Sequence, residues 1–181
     1  VDALRRGLLV GEVLAVDFWR DGSTLPTMVQ ADPRIRSLAV GLPVRDGHVL
    51  VQEFGGAEGE PPFVRAIGGG IEFGERAADA LRREFMEELG VAITGERLLA
   101  VTENIFTFLG VPGHEIVHIF AVECPALAVW SLDDRVGVND DPSTVAWHPL
   151  DALGDDGLPF YPQGALDAAR SMLDRGIVAR A

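Results

Sequence analysis

Three glutamates, Glu84, Glu87 and Glu88, stand at i, i+3 and i+4 within the segment GGIEFGERAADALRREFMEELGV, residues 69–91. On a helix, at about 100° per residue, their carboxylates share an arc of roughly 100°. Like charges so placed repel, and more strongly where water is withdrawn, so the cluster calls for a compensating cation. Carboxylates joined by a backbone carbonyl form a hard oxygen donor set suited to Mg²⁺ or Mn²⁺, and the lack of clustered Cys and His argues against zinc. The run Gly68-Gly69-Gly70 just upstream is placed to offer that carbonyl and lets the backbone come close to a ligand. A metal ion held there would neutralise a diphosphate, polarise its phosphorus and lower the pKa of an attacking water. The same spacing also describes a solvated acidic helix face, the usual fate of a Glu-rich helix.

The elements that must position these groups are legible around them. A helix is expected from about Glu75 to Leu89, with Gly90 where a C-terminal cap prefers glycine. Ala78, Leu81, Phe85 and Leu89 form an apolar stripe centred roughly 110° from the acidic arc, so the acidic face borders the buried one. Ala77 and Ala80 lie on the acidic side, where small side chains leave room for a ligand.

The order Gly69, five residues, Glu75, seven residues, Arg83-Glu84-Phe85, one residue, Glu87-Glu88, one residue, Gly90-Val91 resembles a complete Nudix box, with every fixed position matched. The resemblance implies an α/β fold, a Nudix-type α/β/α sandwich around a mixed β-sheet, spanning about Ile35 to Leu173. It implies a loop, helix and loop that bind Mg²⁺, with Mn²⁺ as a substitute, and hydrolysis of the diphosphate linkage of a nucleoside diphosphate derivative. Carried over position by position, Glu84, Glu87 and Glu88 are expected metal ligands, the Gly69 carbonyl a further ligand, and Arg83 and Glu75 an ion pair that orients the box. Glu88 is the expected activator of water within the box. The family's usual substrate marks are missing. Thr107 stands where enzymes acting on ADP-ribose typically carry proline, and Phe108 and Leu109 stand where dinucleoside polyphosphate hydrolases tend to carry tyrosine. Nucleoside triphosphates, modified nucleotides and nucleotide conjugates stay open. So do a nucleotide-binding regulator without hydrolysis and an enzyme acting on the 5′ end of RNA.

Outside the box, Glu115 begins the otherwise apolar strand face Glu115, Val117, Ile119, Ala121, and is a candidate extra metal ligand or general base. A solvated strand end explains it equally well. His114 and His118 lie about 13 Å apart at strand rise, too far to share one ion. Arg65, leading into the glycine run, offers a planar donor fork matched to phosphate oxygens, so Arg65 and Gly70 are the expected substrate contacts. Phe63, Phe73, Phe106, Phe108 and Trp147 are candidates for a base-stacking ring, with core packing as the competing role.

The remaining pattern supplies a sheet. Ile35 to Arg45 and His48 to Phe54 read as two antiparallel strands around Asp46-Gly47, a strong hairpin signal. Phe63 to Ile67 reads as a short strand ended by the glycine run. Arg97 to Leu109 and Glu115 to Glu123 read as two more, Val145 to His148 as a short edge strand, Leu150 to Leu153 as a helical turn, and Gln163 to Arg175 as a closing helix. Residues 31–181 form the expected hydrolase domain. Residues 1–30, punctuated by Asp21-Gly22-Ser23 and Pro26, are an expected accessory segment able to pack across a homodimer, with a start site nearer Met28 conceivable.

At 181 residues the chain fits one domain, and a hydrophobic content of 48% excludes wholesale disorder. The net charge of −13 repels nucleic-acid backbones and anionic membranes, so a nucleic-acid partner is not expected and an anionic nucleotide must arrive with cations. No apolar run reaches the roughly 20 residues of a membrane span. A lone Cys124 allows no intramolecular disulfide, which points to a reducing cytoplasm.

Overall fold

The computed structural model describes residues 34–55, 61–108, 110–139 and 141–176, so the expectations for residues 1–30 lie outside the described residues. Among the described residues, ten strands, two α-helices and two short 3₁₀ turns follow in order: β1 (Arg36–Leu42), β2 (Val44–Arg45), β3 (His48–Phe54), β4 (Phe63–Arg65), β5 (Ile67–Gly70), α1 (Ala77–Leu89), β6 (Thr94–Phe108), β7 (Val111–Glu123), β8 (Arg135–Gly137), β9 (Thr144–Pro149), β10 (Phe160–Tyr161) and α2 (Ala165–Asp174). The 3₁₀ turns are Pro125–Val129 and Leu150–Ala152.

The strands form two sheets. One has the order β5-β1-β7-β6 and is mixed, with β1 parallel to β7 and its other pairings antiparallel; the second runs β10-β4-β3-β9-β8, with β2 paired to β3. The class is therefore α/β as expected, but the expected strand from Ile35 to Arg45 is divided at Pro43. Proline has no N–H to continue a ladder, and the chain passes there from one sheet to the other. The Asp46-Gly47 hairpin survives as the β2–β3 turn, with both residues at positive φ, 49° and 74°. Phe63 to Ile67 is likewise divided, into β4 and β5, and the glycine run is itself strand. Val145 to His148 lies inside the second sheet, covered on its outer side by β8, which is too short to announce itself in the sequence.

Alternation along the strands builds a core on each face. Leu38, Val40, Val49, Val51, Val117 and Ile119 pack with Ala165, Ala169 and Met172 of α2. The intervening Ala39, Leu50, Ile67 and Phe120 pack with Ala80, Leu81 and Phe85 of α1. One helix thus covers each face. On the α2 face, Glu53 joins three strands: Arg135 donates to both its oxygens at 3.0 and 3.1 Å, Thr144 at 2.9 Å, and His148 lies 2.8 Å away. Burial alone would raise the Glu53 carboxyl, but hydrogen bonds from Arg135, His148 and Thr144 outweigh it and hold the group at about 2.

Phe85 is fully buried and sits against Gly41; a Cβ there would lie 2.8 Å from Phe85 Cε2 and 3.2 Å from Val122 Cγ1. Gly41→Ala is expected to destabilise the fold by about 1–3 kcal/mol through overpacking, read as a lower urea midpoint with an unchanged denaturant slope.

Candidate active site

Helix α1 starts two residues later than expected, at Ala77, and ends as expected: Gly90 is left-handed at φ 66°, its N–H donates to Met86 O at 3.0 Å, and the Val91 N–H donates to Phe85 O at 3.4 Å. The buried positions of α1 are Ala80, Leu81 and Phe85. Ala80 therefore belongs to the core and does not line an open approach for ligand. The correction carries a consequence. With Ala80 packed, the buried arc runs roughly 140° from Ala80 to Phe85, and Glu84 and Glu88 fall within it at about 100° per residue. Glu87 falls outside and is exposed.

Two carboxylates can sit on a packed helix face because the strand opposite has no side chains there. Gly69 pairs with Ala39 in the β5–β1 ladder, and a Cβ on Gly69 would lie 2.6 Å from the Glu84 carboxyl carbon. The glycine run is thus a recess for the acids as well as a close approach of backbone. Burial pushes the Glu88 carboxyl up to about 8, the charges of Glu84 and Asp141 add to the rise, and Arg65 and the Gly68 N–H oppose it.

Arg83 holds the rest together. Its Nη1 donates to Glu84 Oε1 at 2.7 Å and to Glu87 Oε2 at 3.1 Å, Nε donates to Glu75 Oε1 at 3.1 Å, and Nη2 donates to Glu75 Oε2 at 3.0 Å and to Gly70 O at 2.9 Å. Glu75 accordingly lies below the usual carboxylate range, chiefly through the Arg83 bonds, and Arg83 is raised above its ordinary value, chiefly by Glu75. Among the described residues no three His, Cys, Asp or Glu side chains converge as a ready-made cage for a metal ion. Glu84 and Glu87 do converge on one cationic atom, Arg83 Nη1, and Glu88 is a desolvated acid beside them. That donor set fits a hard divalent cation, which would be received by Glu84, Glu87 and Glu88 beside Gly69.

The loop after β8 closes the far end of the site. Asn139 N donates to Glu88 O at 2.9 Å and Asn139 Nδ2 to Glu87 O at 3.0 Å, satisfying carbonyls that the last turn of α1 leaves open. Asp141 follows, accepting from Ser143 N at 2.7 Å, and Gln52 donates to Ser143 Oγ at 2.7 Å. Sequence reasoning passes over Asn139 and Asp141, because asparagine and aspartate before Pro142 signal only a turn.

The other expected residues separate into two groups. Arg65 pairs with Gln52 on the α1 face, the side of the acids, and its charge acts on Glu88. Gly70 O is bonded by Arg83, which ties it to the box. Glu115 is placed elsewhere. It is level with Arg36 in the β1–β7 register, lies 3.4 Å from Arg36 Nη1, and shares its side of β7 with Val117 and Ile119, which pack toward α2. The sheet separates it from the side of Ala39 and Gly69. Asn104, opposite Glu115, is buried on the Glu115 side, while Glu103 pairs with His114 at 2.8 Å. Trp147 is core, with Arg45 4.6 Å above its ring, and Phe73 is fully exposed.

Residues 35–169 match the family model of the NUDIX domain, and the chain belongs to the Nudix family. It carries a complete box on a helix packed as described, and is a Nudix pyrophosphohydrolase of the kind that generally cleaves pyrophosphate linkages in nucleoside diphosphate derivatives. Among solved structures it resembles the MutT NUDIX hydrolase from Burkholderia pseudomallei, with 22% identity over 76% of this chain and 98% of that one and a TM-score of 0.54. It also resembles the E. coli ORF135 protein, with 20% identity over 78% and 93% and a TM-score of 0.51. These two likenesses concern the fold. Among the described residues no helix is long and apolar enough to cross a membrane.

Two outcomes are expected. Between the ordinary carboxylate value near 4.5 and about 8, the folded protein binds a proton at Glu88 that the unfolded chain has lost. The Glu88 contribution to stability without metal therefore falls as pH rises through that window. Glu88→Gln should be less sensitive to pH there than the native chain in urea melts, and added Mg²⁺ should restore the native chain at pH 8. Gly69→Ala, which displaces Glu84, should fold but bind Mn²⁺ roughly 10–100-fold more weakly by titration.

Proposed function

We propose that the chain is a Mg²⁺-dependent hydrolase that cleaves the diphosphate linkage of a nucleoside triphosphate, modified nucleotide or nucleotide conjugate and releases a nucleoside monophosphate. The observation that carries this reading is the recess in which Glu84 lies against Gly69 and Glu88 accepts from the Gly68 N–H, beside an Arg83 that already shares its positive charge between Glu84 and Glu87. Mg²⁺ bound there would neutralise the diphosphate and acidify a water. Glu84, Glu87 and Glu88 are assigned to hold it, with Mn²⁺ as the expected substitute, and Gly69 to offer its carbonyl.

Glu88 is the assigned base for the attacking water. Its raised value reflects burial among negative charges, so a dication at its carboxylate would restore the ionised form and leave an acceptor near the reacting phosphorus. Glu115 is the weaker assignment, since its sheet face and its Arg36 partner hold it away from the box. Arg83 acts as a positioning residue, keeping Glu84 and Glu87 in register when no dication shares their charge. Arg65 is assigned to a phosphate oxygen, where its attraction to Glu88 also limits its wandering. The net charge of −13 favours a small nucleotide carrying its own cation over an RNA chain, and a cytoplasmic setting accords with the lone Cys124.

The test is a panel of nucleoside triphosphates, oxidised nucleotides, nucleotide sugars, ADP-ribose and dinucleoside polyphosphates, with and without Mg²⁺ or Mn²⁺, and products identified by mass. Metal-dependent release of a nucleoside monophosphate is expected. Glu87→Gln combined with Glu88→Gln should lower kcat/KM by at least about 100-fold. Undiminished turnover in that double variant would refute the assignment. A nucleotide that raises Tm without being cleaved would favour the binding regulator.

A further inference from the structure

Most outer strands of the two sheets are short: β2 and β10 have two residues each, β8 three and β5 four. The exception is β6, with 15 residues, which pairs with β7 on one side; among the described residues no strand pairs with its other side. A long edge presents a row of open N–H and C=O groups, and proteins commonly blunt it with proline, lysine, a bulge or a cover. From Ala100 to Phe108 the β6–β7 register is regular, its irregularities lying before Ala100, and the stretch contains no proline, lysine or arginine. Its one charge, Glu103, is engaged by His114 at 2.8 Å.

Register sorts the side chains of this edge. Val101, Glu103 and Ile105 stand opposite His118, Ile116 and His114, and Leu98 stands opposite Phe120, which packs toward α1. These residues therefore share the α1 side of the sheet. The helix itself packs on β5 and β1, at the other end of that sheet. Leu98, Val101 and Ile105 are each at least half exposed. On the opposite side Phe106 lies across Gly113 and Phe108 stands opposite Val111, and both rings stay partly in water.

We propose that β6 is a self-association edge: a second copy of this chain docks its own β6 antiparallel to it across a two-fold axis, joining two four-stranded sheets into one of eight. A strand edge is complementary to itself in that arrangement, because each outward N–H of one copy meets a C=O of the other. An axis perpendicular to the sheet also keeps the α1 sides of both copies together, so the rows containing Val101 and Ile105 meet. Two chains of net charge −13 approach here with little repulsion, since every residue from Leu98 to Phe108 except Glu103 is uncharged. Like charges directly opposite one another are destabilising, so the axis passes beside Glu103 and not through it. A second copy brings the strip already folded, whereas a free peptide would pay for ordering as it docked. The open side chains and backbone offer on the order of 500 Å² per copy, so the pair buries about 1,000 Å², the lower end for a specific interface. The dimer should accordingly be reversible and form at micromolar concentrations.

Sedimentation of the full chain is followed from about 1 to 300 μM, with amide hydrogen exchange at both ends of the range. The mass should rise from one copy toward two and stop there, because two-fold pairing uses up the edge. Exchange should slow with concentration over β6 and stay constant over α1 and β9. Added NaCl screens the repulsion between copies and should tighten the dimer. Val101→Lys and Ile105→Lys, at exposed positions, should keep the native urea midpoint and weaken association at least about 10-fold. Val129→Lys, at an exposed apolar residue outside the strip, should associate like the native chain. A single-copy mass throughout the range, growth beyond two copies, or a dimer that both β6 lysine variants leave intact would overturn the proposal.

Discussion

Carboxylates brought together on a helix repel, and burying them makes the repulsion worse, so the site exists only where fixed positive charge and a shaped recess offset both costs. Arg83 supplies the charge. It spends its donors on Glu75, Glu84, Glu87 and the Gly70 carbonyl, and so links the loop before the helix, the helix itself and the strand beneath. Gly69 supplies the shape. The division of the sheets, the closeness of β5 to α1 and the placing of Asn139 at the helix end all serve to keep these few groups in contact.

The architecture separates two tasks by face. On the α1 face lie the acids and Arg65; on the α2 face, Glu115 with Arg36 and the Glu53 cluster stitch strands together. Glu53 and Glu115 on the α2 face are held by partners within hydrogen-bond reach. On the α1 face the polar groups are crowded with like charge, and Glu88 bears the cost through its raised value. The contrast between a lowered Glu53 and a raised Glu88 follows from these surroundings: Glu53 is ringed by donors, Glu88 by burial and like charge.

Much of the candidate site's local geometry was legible in the sequence because one helix carries it. The spacing of Glu84, Glu87 and Glu88 and the cap at Gly90 report on local geometry, which the helix reproduces faithfully. The reading of Ala80 as open was wrong because an apolar stripe defined by large residues understates how far a helix beds into a sheet when its partners are alanine and glycine. Sheet membership was harder. Val and Leu continue across Pro43, so the pattern alone gives no sign that the chain changes sheets. The face of Glu115 was described correctly, but which helix covers that face depends on pairings distant in sequence. Asp141 and the β8 strand were missed for the same reason, since short polar segments acquire meaning only from what they touch.

Helix α1 has no basic residue in its last turn, although its glutamates cluster toward that end. The backbone dipole adds a partial negative charge there, on the order of half an elementary charge, to a region already crowded with carboxylates. Two of its terminal carbonyls are bonded by Asn139, an uncharged partner that orders them without cancelling the field. A bare polyphosphate would meet this field as a barrier, and one already carrying a dication would meet a lower one. Under the proposed function, a nucleotide that brings its own dication would therefore enter this field at a lower electrostatic cost than the free nucleotide.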